Sequence, residues 1–453
     1  MRRPISFAAL FGVLGLAFTL AATMPGQRAQ AQMFEPETFT LDNGLKVVVV
    51  TNHRAPVVTQ MLWYKAGSAD DPQGLSGMAH IAEHMMFKGT ERFPDDTFSR
   101  TVSRLGGREN AFTARDYTGY FQSVASEHLE VVMEMEADRM KNTTFTQEQF
   151  DNELLVVLEE RFQRVDNNPS AQLNEVANAT LHKHHPYGTP IIGWESEIRA
   201  ATPDDVRAFH EEWYAPDNAV LIVAGDITAE EVRPLAEEHY GGIEPSGIGE
   251  RQRLQEPPHI APRRVEMESP RVQQPSLSIQ YLAPSYRTAE DHEAYALQVL
   301  NEILGGGQTS RFYRALVIDQ GIAAAAGSWY SAHSWDETSF GFYGSPRPGV
   351  EVEDIEAALR AEIRKLLDEG VSEAEVEDAQ QRLRANSVYA RDDVSTAARV
   401  IGRAVSSGQS VADVEAWPER VARITAEDVD AVARQVLREP ASVTAVLKSE
   451  PTS

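Results

Sequence analysis

Apolar and polar positions along the 453-residue chain change their period several times. From Phe39 to Val50, two β-rich runs flank Asp42-Asn43-Gly44, a hairpin-turn sequence, so the pattern predicts strand, turn, strand. Helical periodicity follows, and the helices announce their starts. Thr146-x-x-Gln149, Thr202 with Pro203 at the first helical position, Thr228-x-x-Glu231 and Ser372-x-x-Glu375 each read as a helix cap. Strands and helices occur in both halves of the chain, which predicts a mixed α and β fold.

Two stretches repeat at one offset. Thr202-Pro203-Asp204-Asp205-Val206 leads through a helix to a strand at Asn218–Gly225, and Thr425-Ala426-Glu427-Asp428-Val429 leads through a helix to a strand beginning at Ala441. Both pairs are 223 residues apart, and a duplication is the economical explanation. The Pro/Gly/Arg-rich stretch from Ile243 to Pro270, with Pro257, Pro258 and Pro262, reads as the connector. The expected class is α+β, with two homologous α/β sandwich domains, each a mixed, mainly antiparallel sheet with helices packed on it. The expected boundaries are an N-terminal domain at 32–245, a linker at 246–270 and a C-terminal domain at 271–453.

The first residues read as an export signal. Arg2 and Arg3 precede an apolar stretch from Ile5 to Ala22, and Ala29-Gln30-Ala31 offers a small-residue cleavage site. A signal peptide over 1–31 predicts an exported, periplasmic protein; an uncleaved membrane anchor is the alternative, since about 18 apolar residues begin to span a bilayer. No later segment is long and apolar enough to cross, so no membrane span is expected in the mature chain.

Composition narrows the chemistry. With 42% apolar and 24% charged residues the chain can bury full cores, and its length suits several domains. A net charge of −26, with no basic run, argues against a nucleic-acid partner. There is no cysteine, which removes disulfides, thiolate metal sites and cysteine nucleophiles together. Any metal must be held by His, Asp or Glu.

Those residue types concentrate in Met78-Ala79-His80-Ile81-Ala82-Glu83-His84-Met85-Met86-Phe87. On a helix, His84 sits about 40° around the axis from His80, and Glu83 about 60° to the other side, so all three share a face. Two neutral imidazoles one turn apart chelate a divalent metal, and the carboxylate between them can reach a metal-bound water without ligating. A catalytic zinc needs a third protein ligand and an open position. The helix Phe150–Arg161 offers Glu153 and Glu160, within about 20° of one another, while Glu159 lies about 100° further round. One of the pair can ligate while the other orients a ligand or a water. Two further signals carry less. Gly305-Gly306-Gly307 lacks the lysine of a phosphate loop and reads as a turn after a helix, and His182, His184 and His185, ahead of Pro186-Tyr187, read as fixing a loop.

The inverted His80-x-x-Glu83-His84 motif is followed 76 residues after His84 by Glu160, within Glu153-x-x-Val156-Val157-x-x-Glu160. This combination resembles the pitrilysin family of zinc metallopeptidases, the inverzincins. Leu41–Lys46, Gly106-Gly107-x-x-Asn110-Ala111-Phe112-Thr113, His185–Gly188 and Tyr214-x-Pro216-x-Asn218-Ala219-Val220 extend the resemblance over nearly the whole mature chain. It implies a zinc metalloendopeptidase with one zinc ion per chain, ligated by His80, His84 and Glu160. Glu83 would be the general base and Glu153 a supporting acid. Asn110, Ala111, Phe112 and Thr113 would form an edge strand against which peptide substrates pair. The second domain would be a degenerate copy. In self-sufficient members it supplies an Arg and a Tyr seven residues apart; here Val317 and Ala324 occupy those places, with Arg311, Tyr313 and Arg314 nearby. The resemblance therefore implies the zinc-bearing subunit of a heterodimer with an Arg/Tyr-bearing family member, acting on peptides or unfolded segments. A homodimer, a non-catalytic scaffold, and a metal-dependent hydrolase of phosphate or ester substrates are the alternatives.

Overall fold

The computed structural model describes residues 33–389 and 393–450, so the expected export signal lies outside the described residues. Val47–Val50 and Ala219–Ala224 are unbroken apolar runs, and they become the core of central strands buried on both faces. The strands of the first sheet are β1 (Glu37–Thr40), β2 (Lys46–Thr51), β3 (Val57–Tyr64), β4 (Arg108–Thr113), β5 (Thr118–Ala125) and β6 (Ala219–Gly225), in the order β1-β2-β6-β3-β5-β4. Only β2 and β6 run parallel; the other neighbours are antiparallel. The expected hairpin joins β1 to β2, and its turn needs Gly44, which has a φ of +89°.

A second sheet repeats this plan. Its strands β7 (Arg263–Ser269), β8 (Ser276–Ala283), β9 (Ala323–Tyr330), β10 (Thr338–Pro346) and β11 (Val443–Ser449) follow the order β7-β11-β8-β10-β9, with β7 and β11 parallel and the rest antiparallel. This order matches β2-β6-β3-β5-β4 strand for strand. The repeated caps occupy equivalent places: Thr202 and Asp205 form a capping box before the helix that leads to β6, and Thr425 and Asp428 one before the helix that leads to β11. Thr146, Thr228 and Ser372 make the expected reciprocal cap bonds as well. Residues 241–262 contain no helix or strand, and β7 lies in the last part of the stretch read as connector.

The first-half helices that matter for the site are α1 (Met78–Met85), α2 (Thr97–Arg104), α3 (Leu129–Asn142), α4 (Gln147–Arg161) and α5 (Pro169–Leu181). One face of the first sheet packs on α1, α3 and the helices Pro203–Trp213 and Ala229–Tyr240. Its other face, presenting Val48, Met61, Trp63 and Ile222, is covered by Ala398, Ile401 and Ala404 from the second-half helix Val394–Ser406. That helix comes so close that a Cβ on Gly402 would lie 2.0 Å from Trp63 Cε2. The exchange is reciprocal, since Leu173 and Ala177 of α5 pack on Ala445 and Leu447 of the second sheet.

The connector is fastened to both halves by charge. Arg253 pairs with Asp70 at 2.8 Å, with Asp116, and with Asp336 at 3.3 Å, and all but Asp336 are nearly fully buried. Asp116 also accepts from the Tyr187 hydroxyl at 2.6 and 2.7 Å and from the Trp335 amide at 3.0 Å.

Candidate metal centre

Helix α1 is short, and its start is fixed by an acid. Asp71 accepts from the backbone amides of Gly77 at 2.7 Å and Ala79 at 2.8 Å, placing a carboxyl at the helix N-terminus. Met78, Ala79, Ile81, Ala82 and Met85 are fully buried in the core, which turns the remaining face, with His80, Glu83 and His84, toward a cleft. Helix α4 is set by its Thr146 cap and by Phe150 and Val157 in the same core, so Glu153 and Glu160 face α1. Arg161 pins the end of α4: its guanidinium donates to both oxygens of Glu175 at 2.9 and 3.0 Å and to the Gly193 carbonyl at 2.9 Å.

Three ligand atoms converge. Glu160 Oε2 lies 3.3 Å from His84 Nε2 and 3.7 Å from His80 Nε2, and all three atoms fall within 4.8 Å of one another. The other nitrogen of His84, Nδ1, is 3.0 Å from Glu153 Oε2, while Glu153 Oε1 lies 2.5 Å from the Lys88 ammonium. Glu160 Oε1 is taken by Arg164 at 2.6 Å. Glu83 stands apart from this set, because its Oε2 accepts from the Thr113 hydroxyl at 2.5 Å.

Electrostatics sort the groups further. Burial, reinforced by the charge of His84, pushes His80 down to about 3, so its imidazole is neutral, the form that ligates. Burial also works against charging His84, but the bond to Glu153 and the charges of Glu153, Glu160 and Glu83 outweigh it and raise its pKa. Carboxylates that favour a proton on His84 equally favour a metal cation in the proton's place. Burial raises Glu83, with the Thr113 bond opposing the rise. Two imidazole nitrogens and one carboxylate oxygen, with Glu153 fixing the ring of His84, are a donor set that fits zinc and leaves a coordination position free.

The centre opens onto a cleft of about 900 Å³. β4 forms one wall, and it is the edge strand of its sheet, paired on one side with β5 only. Asn110, Ala111, Phe112 and Thr113 all line this wall. The residues nearest the centre belong to the first half, and beyond Asn174 and Asn178 of α5 the cleft adjoins a second cavity of about 500 Å³ that Gln280, Trp329 and Tyr343 of the second half line. Val317 is buried in the second core, Ala324 lies on the edge strand β9, and Arg311 is held by Glu375 and the Gly370 carbonyl. The helix Glu293–Gly305, which occupies the place of α1 in the second half, carries no histidine. His185 accepts from the Tyr187 amide and sits 3.1 Å from Asp336, and His184 and His185 donate their amides to Glu256. Lys88, Arg164 and Arg161 were not anticipated; the first two stand four residues after His84 and Glu160, one helical turn on, which was the available signal.

The family model described as Insulinase (Peptidase family M16) matches residues 46–195, and the one described as Peptidase M16 inactive domain matches residues 200–383. Zinc protease PqqE of Helicobacter pylori is 30% identical over 372 residues, 81% of this chain and 82% of that one. The chain belongs to peptidase family M16. Among solved structures, a protease from Helicobacter pylori superposes with a TM-score of 0.84 at 27% identity, over 91% of this chain and 99% of the other. The first half of the periplasmic protease PqqL from Escherichia coli shares the fold, with a TM-score of 0.77 at 21% identity over 92% of each chain. Within this M16 chain, the segment matched as insulinase contains the whole centre, and the segment matched as inactive domain starts after it.

Proposed function

We propose that the chain is a zinc-dependent endopeptidase subunit in which His80, His84 and Glu160 hold the metal. The observation that carries this reading is the convergence of their three ligand atoms beside a free edge strand. A bound zinc ion supplies Lewis acidity, polarising a carbonyl and acidifying water. Glu83, close by but outside the ligand set, takes the proton of the attacking water on its carboxylate and passes it to the departing amine. Thr113 aims that carboxylate, and Glu153 holds the His84 ring through Nδ1. The outer edge of β4, at Asn110–Thr113, takes the peptide backbone as an added strand, giving affinity with little sequence preference. A free strand edge suits a peptide better than a phosphate or ester substrate.

A partner completes the site in this reading. Val317 and Ala324 stand where the family resemblance expects an Arg and a Tyr, and a rate loss of about 10²–10³ is typical when electrostatic stabilisation of an oxyanion is missing. An Arg/Tyr-bearing family member in a heterodimer would supply it, with the N-terminal signal pattern exporting the chain to the periplasm. The described residues contain no helix long and apolar enough to cross a membrane. The test is cleavage of a quenched fluorescent peptide library by the zinc-loaded chain, alone and with such a partner, against Glu83→Gln. Cleavage that Glu83→Gln abolishes while zinc is retained supports the reading. Zinc-bound protein that cleaves nothing in either setting would instead mark a scaffold.

A further inference from the structure

The charged side chains lining the cleft are almost all matched. Lys88 pairs with Glu153, Arg164 with Glu160 and Glu175 with Arg161, while Glu83 holds the Thr113 hydroxyl. Arg115 is the exception. It lines the same cleft, two residues beyond the end of β4, and among the described residues its guanidinium meets neither a carboxylate nor a hydrogen-bond acceptor.

The acid next to it in sequence is not free to serve. Asp116 is taken by Arg253, by the Tyr187 hydroxyl and by the Trp335 amide. Arg115 has only the face of Tyr187, with its guanidinium carbon 5.2 Å from the ring centroid. An aromatic face is a weak substitute for a carboxylate and leaves the planar fork of N–H donors unused. Burial also pulls the Arg115 pKa below the usual arginine range, against the opposing charges of Tyr187 and Asp116. A half-buried guanidinium that makes no hydrogen bond among the described residues gains on meeting an arriving anion.

We propose that Arg115 receives a carboxylate of the bound peptide, either an acidic side chain or the chain's C-terminal carboxylate. Arginine suits the task because its fork bonds a carboxylate through two parallel N–H donors. The position is fixed by the strand: Thr113 touches Glu83, and Arg115 follows two residues on, so the carboxylate sits a few residues from the scissile bond. The chain then selects for an anionic group at one register of the substrate, despite its own strongly negative net charge.

This inference rests on the peptidase reading, and binding separates the two. The zinc-loaded Glu83→Gln chain is titrated with labelled peptides by fluorescence anisotropy. The series comprises a neutral, amide-ended parent, variants in which one Glu steps through each position, and the parent with a free C-terminal carboxylate. One Glu position, or the free terminus, should tighten binding about tenfold. Which of them does so identifies the source of the carboxylate. Adding Arg115→Met should erase the preference, so that acidic and neutral peptides bind alike, while Arg115→Lys should keep part of it. Zinc content and melting temperature of both variants report on folding. A series in which no acid improves binding overturns the inference, and so does a preference that survives Arg115→Met in a folded protein. Failure of every peptide to bind would overturn the peptidase reading, and this inference with it.

Discussion

The hydroxyl of Thr113, the last residue of edge strand β4, donates to Glu83 Oε2 at 2.5 Å. One residue therefore belongs both to the proposed docking strand and to the support of the proposed base. Thr113→Val keeps the shape and removes the donor, leaving the Glu83 carboxylate free to turn. We expect kcat to fall at least tenfold with little change in KM, and Thr113→Ser to recover most of the rate. Steady-state kinetics on a single peptide decide it; a Thr113→Val enzyme with unchanged kcat would remove this role.

Glu153 holds His84 through Nδ1 and is itself held by Lys88. Glu153→Gln should weaken metal affinity about 10–100-fold without unfolding the protein, because the ring of His84 loses its orienting charge. Competition against a chromogenic zinc chelator measures this directly. Equal affinity in the two proteins would show that the contact only packs α4 against α1.

Arg161 and Glu175 join the end of α4 to α5 in a paired contact that is nearly closed to solvent. Arg161→Met leaves Glu175 without its partner and should cost about 3 kcal/mol of stability. Adding Glu175→Leu should restore part of the loss. Urea denaturation of the two variants provides the measurement, and a single variant as stable as the parent would contradict the assignment.

Stability should depend on pH through buried histidines. Burial holds His210 and His333 at about 4, so both stay neutral in the folded protein while the unfolded chain takes up protons near 6.5. Their contribution is complete above about pH 6.5 and is lost as the pH falls toward 4. Denaturant midpoints at pH 7, 5.5 and 4 should decline in that order. His210→Phe, placed between Phe145 and Tyr214, should flatten the decline.

The sequence made the face of α1 legible because helical periodicity alone puts His80, Glu83 and His84 together. It could not choose between Glu153 and Glu160, since both project from one side of α4; the family resemblance pointed to Glu160, and in the structure its Oε2 meets both imidazoles. Lys88, Arg164 and Arg161 carried no signal of their own, because spacing does not say which face of a helix meets another. β7 was hidden by its Pro- and Arg-rich surroundings, although Arg264 to Glu268 alternates in and out as a strand should. The covering of each sheet by a helix from the other half was not legible at all. Helix Val394–Ser406 meets strands more than 150 residues away in sequence, and no local pattern encodes such a partner.

That exchange of helices has a consequence for inheritance. A gene severed at the connector would leave the first sheet with a bare apolar face at Val48, Met61, Trp63 and Ile222, and the second sheet without the α5 residues that pack on Ala445 and Leu447. Once the duplicated copies had traded their covers, neither could be discarded. A second copy whose helix Glu293–Gly305 carries no histidine still serves the first, because its helix Val394–Ser406 covers the apolar face of the first sheet.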